Sequence, residues 1–208
     1  MDKMNTIYTI GHSTHKTDYF IKLLKKYDIN LVLDVRSSPY SKYAPQFNRE
    51  LIEEKLENNG VNYNFVGSTF GARQKDLNLY SEDGILDFCK VKESEKFKFC
   101  VNKVIDNVNC ANIVLMCSEK EPVDCHRSIL ISEVFSKRNI NIKHILANGE
   151  IETQTHLENR LLALYEFPAK SQKTLNFFDR NKDINPINNL QKAYEKRNKD
   201  IGYSIIPK

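Results

Sequence analysis

The sequence predicts an α/β fold with a mainly parallel sheet and helices on both faces. Two near-continuous apolar runs, Asn30–Val35 and Asn112–Met116, are typical of strands that are covered on both sides. Segments with helical periodicity separate these runs from other β-rich runs, and this alternation indicates β–α–β units. A chain of 208 residues can bury one core and carry an extension. We therefore expect one domain over residues 1–165 and a C-terminal extension over residues 166–208.

The first quarter of the chain contains two predicted strands with a helix between them. Thr6–Ile10 is the first strand, and Thr17 is expected to cap the following helix. One side of that helix is apolar and consists of Phe20, Ile21, Leu23 and Leu24. The second strand, Asn30–Val35, leads into Arg36–Phe47, which is predicted to be a loop because it contains prolines and serines.

A second helix and a third strand follow this loop. The helix is predicted over Asn48–Asn59 and ends at Gly60, a typical residue after a helix C-terminus. Its buried residues are expected to be Leu51, Ile52 and Leu56. Val61–Phe65 is the next strand, and Gly67–Tyr80 is predicted to be a loop.

The remaining elements continue the same alternation. Ser81–Val108 is mostly helical by prediction and precedes the buried strand Asn112–Met116. A helix over about 125–138, a strand over Ile140–Ile145 and an amphipathic helix over Thr155–Tyr165 complete the domain. The extension is rich in Asn and Lys, with scattered apolar residues such as Phe177 and Phe178, and is expected to pack on the core or to be partly disordered.

Composition places the chain among globular proteins, since 40% of its residues are hydrophobic and 28% are charged. It contains no apolar run long enough for a membrane span and no signal-peptide pattern near the start, so we expect a cytoplasmic protein. The five cysteines are expected to be free thiols. Cys89, Cys100 and Cys110 are expected to pack in the core.

The net charge of +4 is confined to the end of the chain. Glu166–Lys208 holds nine basic and five acidic residues, which leaves 22 of each in the rest of the sequence. A balanced domain lacks the overall basic character of a dedicated DNA-binding module. The basic extension is compatible with nucleic-acid binding, and a bias in composition explains it equally well.

Polar and reactive residues follow the predicted strands, where loops of an open parallel sheet line a ligand crevice. Gly11, His12 and Ser13 follow the first strand. Asp34, Arg36 and Ser37 follow the second, and Gly71 lies in the loop after the third. Cys117 and Glu119 follow the strand at 112–116, and Cys125, His126 and Arg127 open the next helix. The sequence therefore predicts a polar site at one edge of the sheet.

These segments resemble a known family. The run Thr9–Ser13, the step Asp34–Arg36, and Leu115–Glu119 leading to Cys125–Arg127 are similar to the uncharacterised DUF488 family, as is His144-Ile145. The resemblance spans about residues 6–165 and leaves the extension out. It implies a Rossmann-like fold and the same site residues, without a reaction.

Within this set, two groups of residues are expected to have different roles. The catalytic candidates are His12, Asp34, Cys117, Glu119 and His126. The ligand-binding candidates are Gly11, Ser13, Arg36, Ser37, Gly71, Cys125 and Arg127.

The residues from Cys117 to Arg127 raise three chemical alternatives: metal binding, phosphate recognition and a phosphocysteine mechanism. Thiols and imidazole are good zinc ligands, so Cys117, Cys125 and His126 are the metal candidates, with His12 as a candidate fourth ligand, although adjacent residues rarely both reach one ion. A helix that begins near Cys125, together with Arg36 and Arg127, suits a phosphate group. A phosphocysteine mechanism fits poorly, because nine residues separate Cys117 from Arg127.

Two functional hypotheses follow. The first is a hydrolase or transferase acting on a nucleotide or a nucleic-acid-derived substrate, in which Arg36 and Arg127 hold phosphate and Glu119 or Asp34 is the general base. His12 or His126 would then transfer protons. The second is a non-catalytic module that binds a nucleotide, nucleic acid or a metal such as zinc in the same pocket. The sequence identifies no organic cofactor motif.

Overall fold

The computed structural model describes residues 5–168 and 186–206, and six strands form one sheet within them. The strands are β1 (Thr6–Gly11), β2 (Leu31–Asp34), β3 (Asn62–Phe65), β4 (Ile113–Cys117), β5 (Asn141–Ile145) and β6 (Ile151–Thr153). Their order across the sheet is β3-β2-β4-β1-β5-β6, and all neighbours are parallel except β5 and β6. The predicted α/β class with a mainly parallel, Rossmann-like sheet is confirmed.

Helices connect the strands. They are α1 (Thr17–Lys26), α2 (Arg49–Glu57), α3 (Gly67–Phe70), α4 (Phe88–Glu93), α5 (Glu95–Asn107), α6 (Glu133–Lys137), α7 (Gln154–Leu164) and α8 (Pro186–Ile201). A π-helical turn, Arg127–Ser132, leads directly into α6. None of the helices in the described ranges is long and apolar enough to cross a membrane.

The core lies in two layers, one on each face of the sheet. Alternate residues of β4 enter different layers, with Val114 and Met116 on one side and Ile113, Leu115 and Cys117 on the other. The first layer is closed by α1 and α2, and the second by α4 through α8. Strand β4 is buried along its whole length, as its apolar sequence predicts.

Several local predictions differ from the structure. Thr17 is the first residue of α1 rather than its cap, since Lys16 precedes the helix and provides no side-chain hydrogen bond. Leu51 is 54% exposed because α2 buries only the side that carries Ile52 and Leu56. The predicted loop at 67–80 contains the short helix α3, which follows β3 directly.

The thiols are free, as expected, but two of the three predicted core cysteines are not in the core. Cys89 and Cys110 are exposed, and Cys100 is partly buried. Cys89 lies on α4, and Cys110 lies in the turn after α5.

The C-terminal extension contributes a helix to the second layer. Ala193 and Tyr194 of α8 are buried in the core cluster, and the Tyr194 hydroxyl contacts the Gln154 amide at 2.8 Å. Tyr203 extends beyond the helix and accepts a hydrogen bond from the Leu86 amide. The apolar residues Phe177 and Phe178 lie outside the described residues.

Candidate functional site

A polar cleft of about 390 Å³ opens at the carboxyl edge of the sheet. Strands β2, β4 and β1 are neighbours in the sheet, so the loops that follow them meet at this edge. The cleft is lined by His12, Arg36, Ser37, Ser38, Tyr40, Ser41, Ala72, Arg73, Cys117, Ser118, Glu119, His126, Ile201 and Tyr203. The predicted clustering of polar residues after the strands therefore corresponds to one surface cleft.

At the floor of the cleft, four side chains converge: Cys117, Glu119, Cys125 and His126. We call them the Cys–His–Glu cluster. One potential ligand atom from each lies within 4.8 Å of all the others. Glu119 Oε2 is 2.6 Å from Cys117 Sγ and 3.0 Å from Cys125 Sγ. His126 Nδ1 is 3.8 Å from each sulfur.

Backbone contacts fix the orientation of this cluster. His126 Nε2 is 3.0 Å from the Val35 carbonyl oxygen, so Nε2 carries the proton and Nδ1 faces the sulfurs with its lone pair. The Arg127 amide donates to Cys125 Sγ at 3.4 Å. Cys117 is the last residue of β4, where Gly11 of β1 is its partner in register. The adjacent residues Cys125 and His126 thus reach one point, contrary to the expectation from their spacing.

The electrostatics of the cluster are dominated by burial and by contacts among its members. Burial raises the pKa of the Cys117 thiol. Burial opposes ionisation of Cys125 too, but the hydrogen bond from Cys117 and the charge of Arg127 lower its pKa to about 6. Burial also opposes protonation of His126, but the negative charge of the Cys125 thiolate outweighs the effect of burial and raises the pKa of His126. Glu119 is exposed on its loop, yet its carboxylate is desolvated beside the thiols; His126 and both thiols outweigh this desolvation, so the pKa of Glu119 falls to about 2.

Asp34 and Arg36 form a buried ion pair at the end of β2. Arg36 donates from Nε to Asp34 Oδ1 at 2.9 Å and from Nη2 to Oδ2 at 2.6 Å. Asp34 also accepts from the Arg36 amide and from the Tyr63 hydroxyl. Asp34 is fully buried and does not line the cleft, so its contacts orient Arg36 rather than supply a base.

His12 lies beside this pair as a neutral imidazole. Its Nδ1 is 2.8 Å from the Ser13 carbonyl oxygen, and its Nε2 is 3.2 Å from Arg36 Nη1, which makes Nδ1 the protonated nitrogen. Burial and the nearby Arg36 lower its pKa to about 4. The ring stacks on Phe47 at 4.2 Å between centroids. His12 is therefore a hydrogen-bond acceptor in the wall of the cleft.

Arg127 does not have the position that phosphate binding requires. Its side chain is fully buried, and it donates from Nη1 to the Glu119 carbonyl oxygen at 2.7 Å and from Nη2 to that of Lys120 at 3.2 Å. Arg127 therefore supports the loop that carries Glu119, whereas the prediction had it facing a phosphate group.

Four further predicted ligand-binding residues lie behind the cleft lining: Gly11, Ser13, Gly71 and Cys125. A Cβ at Gly11 would lie 1.8 Å from the Glu119 carbonyl oxygen, and one at Gly71 would lie 2.6 Å from Ser37 Oγ. Both glycines allow close approach of a neighbouring loop. The Ser13 amide donates to the Ser118 carbonyl oxygen at 3.0 Å, so Ser13 joins the loops after β1 and β4.

Sequence reasoning missed part of the cleft lining. The sequence places Ser38 after the second strand and Arg73 close behind Gly71, near this edge of the sheet, and the residue it missed in the loop after β2 is Tyr40. Arg73 lies over the ring of Tyr203 at 4.7 Å, and its amide donates to Ser37 Oγ at 2.8 Å. Tyr203 belongs to the extension, 130 residues along the chain from Arg73, and no local pattern indicates this contact. His144, by contrast, is interior, between Thr9 and Gln154.

Comparison with known proteins identifies the family. No curated protein and no solved structure matches the chain. The model of a family described as "Domain of unknown function DUF488" matches residues 16–134, which is more than half of the sequence. The matched range contains every strand end that contributes to the Cys–His–Glu cluster and the Asp34–Arg36 pair. The chain belongs to the DUF488 family.

Proposed function

We propose that the chain is a hydrolase or transferase whose cleft binds a phosphate-bearing substrate such as a nucleotide. The observation that carries the proposal is the distribution of groups in the cleft. Hydrogen-bond donors and cationic groups form one wall, and the carboxylate of Glu119 lies in the Cys–His–Glu cluster beside them. This combination suits a substrate that carries an anionic group next to the bond that reacts.

The donor wall consists of Arg36, Ser37, Ser38, Ser41 and Arg73. Arg73 is exposed, and the Tyr203 ring holds its guanidinium group over the cleft. Arg36 is held by Asp34 through Nε and Nη2. A guanidinium group and several hydroxyl groups supply the charge-assisted hydrogen bonds that phosphate oxygens accept.

Glu119 is the best-placed general base in this proposal, although its pKa of about 2 makes it a weak base at neutral pH. It is exposed to the cleft, whereas the alternative base Asp34 is buried under Arg36. In a hydrolase, Glu119 would take a proton from the attacking water, and in a transferase from an acceptor hydroxyl group. A cysteine nucleophile is less suitable, because Cys125 does not line the cleft and burial raises the pKa of the Cys117 thiol.

Binding is tested with a nucleoside monophosphate, its parent nucleoside and inorganic phosphate, by equilibrium dialysis. We expect the monophosphate to bind more tightly than the nucleoside. Arg73→Ala should weaken that binding about 10- to 100-fold, since a hydrogen bond to a charged group contributes about 1.5–3 kcal/mol. The matched control is Arg138→Ala, because Arg138 bonds to Asn102 and lies outside the cleft lining.

Turnover is tested by mass-spectrometric screening of phosphate-bearing compounds with wild-type protein and Glu119→Gln. We expect conversion by the wild type and its loss in a variant that keeps its thermal stability. Equal affinity for the monophosphate and the nucleoside would overturn the substrate class. Saturable binding without any conversion would instead favour a binding module.

A further inference from the structure

We infer that the Cys–His–Glu cluster is a zinc site, in which Cys117, Cys125 and His126 are fixed ligands and Glu119 occupies the fourth position. The inference goes beyond the proposed function, since metal binding here needs no particular substrate. Two thiolates, one imidazole and one carboxylate form a donor set that Zn²⁺ favours. The family description assigns no metal.

The distances from His126 Nδ1 to the two sulfurs match tetrahedral coordination, whereas those from Glu119 Oε2 to the sulfurs, 2.6 and 3.0 Å, are shorter and would lengthen around an ion. Zinc–sulfur and zinc–nitrogen bonds of about 2.3 and 2.0–2.1 Å place ligand atoms about 3.3–3.8 Å apart. His126 Nδ1 is 3.8 Å from Cys117 Sγ and equally 3.8 Å from Cys125 Sγ. Both sulfurs also lie beside the same oxygen of Glu119. One ion can therefore contact all four groups with small side-chain movements.

Contacts outside the ligand set resemble those that orient metal ligands. The Val35 carbonyl oxygen fixes the His126 tautomer, so that Nδ1 is free to bind an ion. The Arg127 amide donates to Cys125 Sγ, a contact that stabilises a thiolate. A thiol pair that served only for packing would need neither arrangement.

Charge balance supports the same assignment. Arg127 is fully buried beside the cluster, and no carboxylate in residues 5–168 or 186–206 forms an ion pair with it. The negative charge that balances this buried cation must therefore come from the cluster itself. Two thiolates and a carboxylate around a divalent ion carry one net negative charge, which Arg127 would neutralise.

The fourth position faces the cleft. Cys117, Glu119 and His126 line it, whereas Cys125 lies behind. Three ligands are buried, and two of these, Cys125 and His126, precede the π-helical turn directly, while Glu119 is exposed on a loop. The carboxylate is therefore the ligand that a water molecule or a substrate could replace.

The test uses the full chain, purified without metal-affinity resin and kept reduced. Elemental mass analysis is expected to find one equivalent of zinc. After zinc has been removed by chelation, added Co²⁺ should produce thiolate-to-cobalt charge-transfer bands and the intense visible bands of tetrahedral cobalt. Cys125→Ser should weaken Zn²⁺ binding by more than about 100-fold, which exceeds the usual effect of losing an outer-shell partner. The control is Cys110→Ser, which removes an exposed thiol outside the cluster.

Glu119→Gln provides a variant that does not disturb the core. It should keep the charge-transfer bands of both thiolates and shift the visible bands, because one ligand has changed. Failure of the folded, reduced wild type to bind Zn²⁺ or Co²⁺ stoichiometrically would overturn the site, as would wild-type affinity and spectra in Cys125→Ser. These measurements involve no phosphate probe. A failed zinc test therefore leaves the proposed substrate class unaffected, and a failed phosphate-binding test leaves the zinc site unaffected.

Discussion

Two residues that contact no ligand determine where Glu119 lies. Gly11 allows the Glu119 carbonyl group to approach β1, and Arg127 donates to the same carbonyl oxygen from the other side. Both residues belong to the conspicuous segments of the sequence, and both were expected to contact a ligand. Their contacts show that they position the loop from which Glu119 enters the cleft.

Gly11→Ala is expected to displace this loop. The new Cβ would lie 1.8 Å from a backbone oxygen, so the backbone must move at a cost of about 1–3 kcal/mol. We expect a lower melting temperature together with weaker Co²⁺ and monophosphate binding. The control is Gly60→Ala, where φ is 74° and no atom lies within 4 Å, so strain costs about 1–2 kcal/mol without a clash. Equal binding by both variants would contradict the positional role of Gly11.

His144 predicts how stability depends on pH. Its ring lies between Thr9 Oγ1 and Gln154 Oε1, and burial together with Arg127 lowers its pKa from 6.5 to about 4. Below pH 6.5 the unfolded chain binds the proton and the folded chain does not, so stability decreases as pH falls from about 6.5 to about 4. The full effect is about 3 kcal/mol.

Urea unfolding at several pH values tests this expectation. His144→Gln cannot titrate, so its stability should fall less than that of the wild type between pH 6.5 and pH 4, whatever its stability at neutral pH. His156→Gln is the control, because His156 is a mostly exposed histidine on α7. Parallel profiles of stability against pH for the wild type and His144→Gln would exclude His144 as the source of the pH dependence.

At the scale of elements, apolar runs and turn residues were sufficient to predict most strands of the sheet. Ile113–Cys117 is buried on both faces because five consecutive residues are apolar, a pattern that the sequence presents directly. β6 has only three residues, including the charged Glu152, and such a short edge strand leaves no comparable pattern. The π-helical turn at 127–132 depends on tertiary packing around the buried Arg127, which helical periodicity does not express.

The segment after α8 provides a prediction about the cleft. Tyr203 lies under the Arg73 guanidinium group, so Tyr203→Ala should release Arg73 and weaken monophosphate binding several-fold, in line with a cation–π contribution of about 0.5–1 kcal/mol at an exposed site. Tyr203→Phe keeps the ring and should bind as the wild type does. Zinc content should not change in either variant. Loss of binding in Tyr203→Phe would point to the hydroxyl group instead of the stack.

For the whole molecule, the order of the strands creates the site, and this order was not predictable from local patterns. β4 inserts between β2 and β1, which brings Cys117 and Glu119 into the same cleft as Arg36 and His12. The sequence indicates that each of these residues follows a strand, and hence that they share an edge. It contains no local signal for strand adjacency, for the burial of Arg127 or for the approach of Tyr203, because each depends on contacts between distant segments.

Helix α8 of the extension is part of the folded unit, since it covers the second core layer. Tyr194 is 3% exposed, and its hydroxyl group contacts Gln154. Tyr194→Ala should lower the free energy of unfolding by about 3–5 kcal/mol, as for other large aromatic residues in a core. Lys192→Ala, on the exposed side of the same helix, is the control and should change the free energy of unfolding by less than about 0.5 kcal/mol.

We further expect a chain that ends at residue 185 to lose its cooperative thermal transition, because the face of α7 that packs on α8 becomes exposed to water. A truncated chain that melts like the full-length protein would mean that α8 is a separate attachment and that the domain ends before it.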